Sequence, residues 1–424
     1  MKRIIKNADV LYQGSVQRLQ ILFDENEILK VAPSIDGVYE EIDGKGLTVL
    51  PGLVDVHVHF RQPGQEDKET IHTGSMAAAH GGFTSVFAMP NVIPCPDTAV
   101  QMKKYLCLLK KESIVHTYPY GPITIEEKGK QLCDLHVMHT LGVKWFSDDG
   151  VGMNDPKIMA HALQTAKAED LLIACHTEDM KYRRSGASVH EAPYAATHGW
   201  IGIPSKCESE PLARDLAIAE CIHGKYHACH ISAKQSVEAL RKAKQSHADV
   251  SGEVTAHHLL LENTDVQGTN WKMNPPLRTH EDRLSLVEGL EDGTLDFIAS
   301  DHAPHTIQDK ERPMKDAAFG IVSLETSFPL LYTEFVWKEK RWSLAQLINW
   351  MSTAPAKRFG LAKTGEILEG WKSDLILVRF GEENVIDPKK FLSKGINTPF
   401  TDWKVQASVK ETIVDGKTVW RENV

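Results

Sequence analysis

The chain has 424 residues, of which 42% are hydrophobic and 25% charged, and its formal net charge is −9. These values fit a soluble globular protein with a sizeable core and exclude a collagen-like repeat, a coiled coil or a disordered chain. Lys and Arg are spread along the sequence without forming a basic stripe, so neither nucleic acid nor an anionic membrane surface is an expected partner.

Residues 1–50 read as short strand-like pieces, KRIIKNADVLY, SVQRLQILFD and EILKVAP, broken by Gly, Asp-Glu-Asn and Pro. Beyond residue 50 the texture changes to short apolar strands followed by longer amphipathic helices: TSVFAMPN, GVKWFSDD, LLIACHTE, YHACHIS, GEVTAHHLLL and LDFIASD. Residues 362–424 return to strands, SDLILVRF, VQASVKETIVDG and KTVWREN, with a turn at Asp415-Gly416. The expected fold is α/β: a (β/α)8 TIM-like barrel over 51–361, with a small β-sandwich domain built from 1–50 and 362–424. An open doubly wound sheet is the alternative, but no Gly-x-Gly-x-x-Gly follows an early strand.

No stretch approaches about 18 consecutive apolar residues, and the opening apolar segment is too short for a signal peptide, so a cytoplasmic protein is expected. The seven cysteines form no Cys-x-x-Cys pair and are expected to be reduced.

The polar residues that matter sit where strands end. In DVHVHFRQPG, residues Asp55, His57, His59 and Arg61 alternate and so share one strand face, successive members being about 6.6 Å apart. Two imidazoles in a dry barrel mouth need compensation, and a divalent ion at about 2.0–2.1 Å supplies it. A lone His-x-His is equally a pair of core histidines bonded to carbonyls. The pattern gains weight because His176, His230 and Asp301 end three other strands, at the barrel face that carries active sites. Five ligand-type residues exceed one tetrahedral site, which points to two ions bridged by a carboxylate or a carbamate. Lys144, Asp148 and Asp149 in GVKWFSDDG are the candidates for the bridge.

DVHVHFRQPG at 55–64 and ASDHAPHTIQDK at 299–310 resemble the two signature segments of the dihydroorotase family within the amidohydrolase superfamily. MPN at 89–91, CHIS at 229–232, KMNPPLR at 272–278 and FGIVSLET at 319–326 fit the same family in the same order, over essentially the whole chain. The resemblance implies two zinc ions per subunit, one held by His57, His59 and Asp301 and one by His176 and His230. Many members bridge the ions with a carbamylated lysine, for which Lys144 could stand. Another branch uses the second aspartate of Asp-Asp-Gly, here Asp149, and the DDGVG and HFRQPG segments look like that branch. Asp149 is therefore the expected bridge, with Lys144 turned away from the cations and pairing with Asp148.

By the same resemblance the reaction is the reversible cyclisation of N-carbamoyl-L-aspartate to L-dihydroorotate in pyrimidine synthesis. A shared water between two cations has its pKa lowered towards about 7, and Asp301 is the expected proton carrier. Arg61 would hold the substrate carboxylate through two parallel bonds. Asn91 and His305 would complete that pocket, while Asn274 and the backbone at Phe319 and Gly320 would hold the ring. Gln62 stands where the family often has an acid, and only an indirect effect is expected. His257 and His258 are assigned structural or supporting roles, and His227 and His302 are left as surface or packing residues. The family implies a homodimer.

Two rival readings remain at this level. A dihydropyrimidinase or hydantoinase would share the scaffold, but similar hydantoinases usually lack an arginine at the position of Arg61. A catalytically silent barrel partnering aspartate transcarbamoylase would tend to have lost metal ligands, and every one is present here.

Overall fold

The computed structural model describes residues 2–422. Strands from both ends of the chain share one mixed sheet of eight strands. Its order is Lys417–Arg421, Lys404–Val414, Leu375–Val385, Thr48–Pro51, Arg3–Tyr12, Ser15–Phe23 and Ile28–Ala32, with Glu40–Asp43 also beside Arg3–Tyr12. The termini meet where Leu375–Val378 runs antiparallel to Thr48–Pro51, with Leu375 opposite Pro51. Alternating apolar residues on these strands, among them Val10, Ile21, Val49, Leu375, Leu377 and Ile413, close on one another as a separate core.

Gly52 is the hinge between this sheet and the rest. A Cβ there would lie 2.1 Å from Thr84 Oγ1, so only glycine lets the chain pass this close to the neighbouring strand.

Eight parallel strands follow: Leu53–Val58 (β1), Phe83–Ala88 (β2), His116–Pro119 (β3), Trp145–Phe146 (β4), Leu172–Cys175 (β5), Lys225–Ala228 (β6), Val250–Thr255 (β7) and Phe297–Ala299 (β8). They form two arcs, β1-β2-β3 and β4-β5-β6-β7-β8, every pairing within them parallel. Parallel bridges also join the arcs at both gaps, Gly121 to Phe146 and His302 to Val58. Helices alternate with the strands, as buried parallel sheets require. Pro156–Ala168 is representative: Asp155 caps Lys157 N, Pro156 occupies the first turn, and Met159, Ala162, Leu163 and Ala166 make the buried stripe. Truncating Leu163 to alanine there would cost about 2–5 kcal/mol.

The space between the strands is filled by Val54, Val56, Phe87, Trp145, Leu172, Ala174, Phe297 and Ala299, closed by Phe359. Phe87 meets Trp145 edge-on at 4.8 Å between centroids and Phe359 at the same distance. This apolar filling lowers the local dielectric around the charged groups at the strand ends. All seven cysteines are free thiols. Among the described residues no helix is long and apolar enough to cross a membrane.

Candidate metal centre

The C-terminal ends of five strands converge on one pocket. His57 lies in β1 and His59 just beyond it; Asp149 follows β4, His176 follows β5, His230 lies two residues past β6 and Asp301 two past β8. The chain turns sharply at three site residues, Arg61 (φ 60°), His230 (φ 33°) and Asp301 (φ 49°). Left-handed backbone at non-glycine residues costs of order 1–3 kcal/mol and persists where the surroundings enforce it, typically at functional sites.

Asp149 is the shared element. Its Oδ1 is 3.4 Å from His57 Nε2, 3.9 Å from His176 Nδ1 and 3.7 Å from His230 Nε2, while Oδ2 is 3.4 Å from His59 Nε2. Asp301 Oδ1 lies 3.2 Å from His59 Nε2 and 3.5 Å from His57 Nε2. His176 Nδ1 and His230 Nε2 face each other at 3.0 Å. All six residues are buried.

This donor set fits divalent cations. His57 Nε2 and Asp149 Oδ1 are buried without any hydrogen-bond partner, an arrangement that costs about 1–3 kcal/mol per group unless a cation accepts their lone pairs. The other nitrogen of three of the four imidazoles is tied down: His57 Nδ1 to Glu253 Oε1 at 2.8 Å, His59 Nδ1 to Asn91 Oδ1 at 3.0 Å, and His176 Nε2 to Glu178 Oε2 at 3.3 Å. Because a carboxylate can only accept, the Glu253 and Glu178 contacts leave the opposite nitrogen of each ring free as a ligand.

Charge within the cluster follows the same geometry. Burial works against ionisation of Asp149, yet His57 and His230 hold its carboxyl well below the usual range. Asp301 is likewise held low, against burial, by the hydrogen bond from His59 and by the neighbouring imidazoles. Burial disfavours a charged His57, but Asp149 and Glu253 overcome it and raise the imidazole well above its ordinary value. For Glu253, burial is outweighed by His57 and His227, which bring the carboxyl down to about 2.

The substrate-side residues line the same pocket of about 500 Å³: Arg61, Asn91, Asn274, Phe319 and Gly320, beside His59, Asp149, His176, His230 and Asp301. Arg61 donates Nε to Pro304 O at 3.3 Å and sets Nη2 3.5 Å from His305 Nε2. His305 Nε2 donates to Phe319 O at 2.7 Å. Asn91 also donates to Asp149 Oδ2 at 3.4 Å, and Asn274 donates to Glu178 Oε2 at 2.9 Å. The Gly320 N–H is engaged by Lys272 O at 3.0 Å. A larger groove of about 1270 Å³ lies between helices Lys206–Ile222, Lys234–Gln245 and His280–Glu291 and contains none of these groups.

Two expectations need correction, the pairing of Lys144 and the role of His227. Lys144 is exposed although it shares strand parity with the buried Phe146, because it precedes β4 and lies outside the enclosed space. It does not pair with Asp148, whose carboxylate is buried and taken up by Ile123 N at 2.8 Å, Thr124 N at 3.0 Å and the Thr124 hydroxyl. Asp55, on the same strand as His57, accepts from His57 N and Ser300 N through Oδ1, both at 3.1 Å, and stitches β1 to the end of β8. His227 is more than packing, since Nε2 meets Glu253 Oε2 at 3.0 Å. Gln62 accepts from Ile71 N at the start of helix Ile71–His80.

Several supporting residues escaped the sequence reading: Glu253, Glu178, Arg183, Lys272 and Lys310. Arg183 and Lys272 flank the Phe319 ring at 4.7 and 4.2 Å, and Lys310 Nζ donates to three carbonyls, those of Lys272, Ala318 and Gly320. For Glu253 the signal was present: a single acid inside the otherwise uncharged strand VSGEVT.

The family model for dihydro-orotase-like proteins matches residues 46–236. Dihydroorotase of Anoxybacillus flavithermus is 46% identical over 427 residues, covering 100% of this chain and 99% of the relative. Dihydroorotase of Bacillus subtilis is 46% identical over 426 residues with the same coverage. Among solved structures, L-hydantoinase (dihydropyrimidinase) from Arthrobacter aurescens superimposes with a TM-score of 0.89 at 25% identity, covering 100% of this chain and 96% of the other. Dihydropyrimidinase from Brevibacillus agri has a TM-score of 0.87 at 22% identity, covering 99% and 95%, a likeness of fold. With clustered histidines and aspartates at its strand ends and this identity along its entire length, the chain belongs to the dihydroorotase family of the amidohydrolase superfamily.

Proposed function

We propose that the protein is a metal-dependent dihydroorotase that interconverts N-carbamoyl-L-aspartate and L-dihydroorotate in pyrimidine synthesis. The observation that carries the substrate assignment is Arg61 opening into the same pocket as the histidine and aspartate cluster. A half-buried guanidinium beside that cluster recognises a carboxylate through paired, charge-assisted bonds, and both partners of this reaction carry one.

The two arcs and their two parallel bridges support a closed (β/α)8 barrel spanning 51–361, with 1–50 and 362–424 forming a separate β domain of sandwich type. On that scaffold His57, His59 and Asp301 would hold one zinc ion, His176 and His230 a second, and Asp149 would bridge them. When bound, the two cations supply Lewis-acid activation of water and of the ring amide carbonyl. The chain's residues do the rest. Arg61, with His305 and Asn91 around it, fixes the substrate carboxylate and so sets which carbonyl faces Asp301. Asp301 accepts the proton of the attacking water and returns it to the departing ring nitrogen; in cyclisation it runs the opposite way. Asn274 and the Phe319–Gly320 segment bound the far side of the ring.

A direct comparison of substrates tests the reading. The purified protein should turn over dihydroorotate and carbamoyl aspartate and leave hydantoin and dihydrouracil essentially untouched. Preference for the substrates that lack a carboxylate would overturn the assignment in favour of a dihydropyrimidinase.

A further inference from the structure

A file of polar groups leads away from the metal centre through the interior of the strands. Glu253, fully buried in β7, accepts from His57 Nδ1 at 2.8 Å through Oε1, and the same oxygen accepts from His230 N at 3.1 Å. Its second oxygen meets His227 Nε2 at 3.0 Å, His227 Nδ1 meets Ser251 Oγ at 2.9 Å, and Ser251 Oγ meets Arg358 Nε at 2.7 Å. Arg358 ends helix Ala354–Arg358 and is anchored to Tyr226 O and the Asp249 carboxylate.

Arginine only donates, so Ser251 Oγ accepts from Arg358. A carboxylate only accepts, so His227 carries a proton on Nε2, which it gives to Glu253. For the same reason His57 carries a proton on Nδ1 and directs Nε2 to the cluster of Asp149 and Asp301. One anionic side chain thereby orients a histidine of β1 and the backbone of a histidine past β6, and it is the member of the file that touches both.

We propose that Glu253 is the positioning residue of the metal centre: it fixes the tautomer and direction of His57 and the left-handed backbone of His230, and through them the affinity for the ion pair. The proposal rests on the reading of His57 and His230 as metal ligands. Carboxylates that orient a ligating histidine typically contribute about 10- to 100-fold in metal affinity.

The test compares wild type with Glu253→Gln, which keeps the shape but places an amide nitrogen in the file and removes the charge. Zinc affinity is measured by competition with a chromophoric chelator, the coordination of a cobalt-substituted form by its visible spectrum, and the fold of the metal-free protein by thermal melting. Glu253→Gln is expected to bind zinc about 10- to 100-fold more weakly and to alter the cobalt spectrum, while the metal-free melting curve stays cooperative. Wild-type affinity together with an unchanged cobalt spectrum would overturn the proposal. Should the glutamine variant not fold, Glu253→Asp decides. One methylene shorter, it cannot span His57 and His227 together, so it must also bind zinc more weakly, and undiminished affinity overturns the proposal. A wild-type protein that holds no zinc at all would instead bring down the underlying metal assignment, a separate result.

Discussion

Among the described residues, two clusters of histidine and aspartate behave as opposites. At the strand ends, His57, His59, His176, His230, Asp149 and Asp301 are all buried, and His57 Nε2, His230 Nδ1 and Asp149 Oδ1 have no hydrogen-bond partner. At the other cluster, where β3 meets the terminal sheet, His116 Nε2 lies 3.1 Å from Asp374 Oδ2 and 3.4 Å from Asp415 Oδ1. Here one histidine sits between two acids, Asp415 is 53% exposed, and Lys372 lies close enough to act on both His116 and Asp415. Burial lowers the His116 pKa, but hydrogen bonds to Asp374 and Asp415 win and lift it to about 9, so a proton does at the junction what a divalent cation would do at the rim. Residue types alone do not make a metal site. What suits the rim to a cation is that buried ligand-type atoms there lack hydrogen-bond partners.

The largest expected effect falls on the rim. Asp301→Asn should lower kcat by about 10²–10⁴-fold or more in both directions of the reaction while the melting temperature changes little; near-normal turnover would remove Asp301 as proton carrier. Arg61→Ala comes next. Two charge-assisted bonds at about 1.5–3 kcal/mol each predict a loss of about 100-fold or more in kcat/KM for the carboxylate substrate, with metal content unchanged. Loss of bound metal in that variant would assign Arg61 to the centre instead of to the substrate.

The junction offers a contrasting, pH-dependent prediction. The folded pKa of His116, about 9, exceeds the ordinary unfolded value of about 6.5, so its ion pairs stabilise the fold fully below about pH 6.5 and cease to do so as pH rises through 9. Their contribution is at most about 3 kcal/mol, less whatever solvent screening removes. Denaturant melts of wild type and His116→Gln should therefore differ at pH 6 and converge near pH 10, and equal stability at pH 6 would break the comparison. Smallest of all, Lys144→Ala should change stability by no more than about 0.5 kcal/mol and leave both the ion count and activity intact. If one ion were lost, a carbamylated Lys144 would have to be restored as the bridge.

Much of the candidate site was legible because each of its residues announces itself locally: His57, His59, His176, His230 and Asp301 all stand at or just beyond the end of a short apolar run. Asp149 was preferred to Lys144 by resemblance, and in the structure Asp149 is buried within the cluster while Lys144, which precedes β4, is exposed. Asp55 illustrates the limit of strand parity. It alternates correctly with His57, yet the strand pairing shifts register between Asp55 and Val58, and the carboxylate is consumed by two backbone N–H groups. Glu253 and His227 were illegible in role because their partners are 196 and 26 residues away in the chain.

The amino-acid order alone determined the strand-helix alternation, the ligand types and their placement after apolar runs, because these depend on periodicity and on chemistry within a few residues. Which nitrogen of each imidazole faces the centre, which of two neighbouring aspartates is shared, and which acid holds the histidines in place were decided only by folding. Those choices depend on which donors and acceptors from distant strands meet in a space too dry for water to substitute for either.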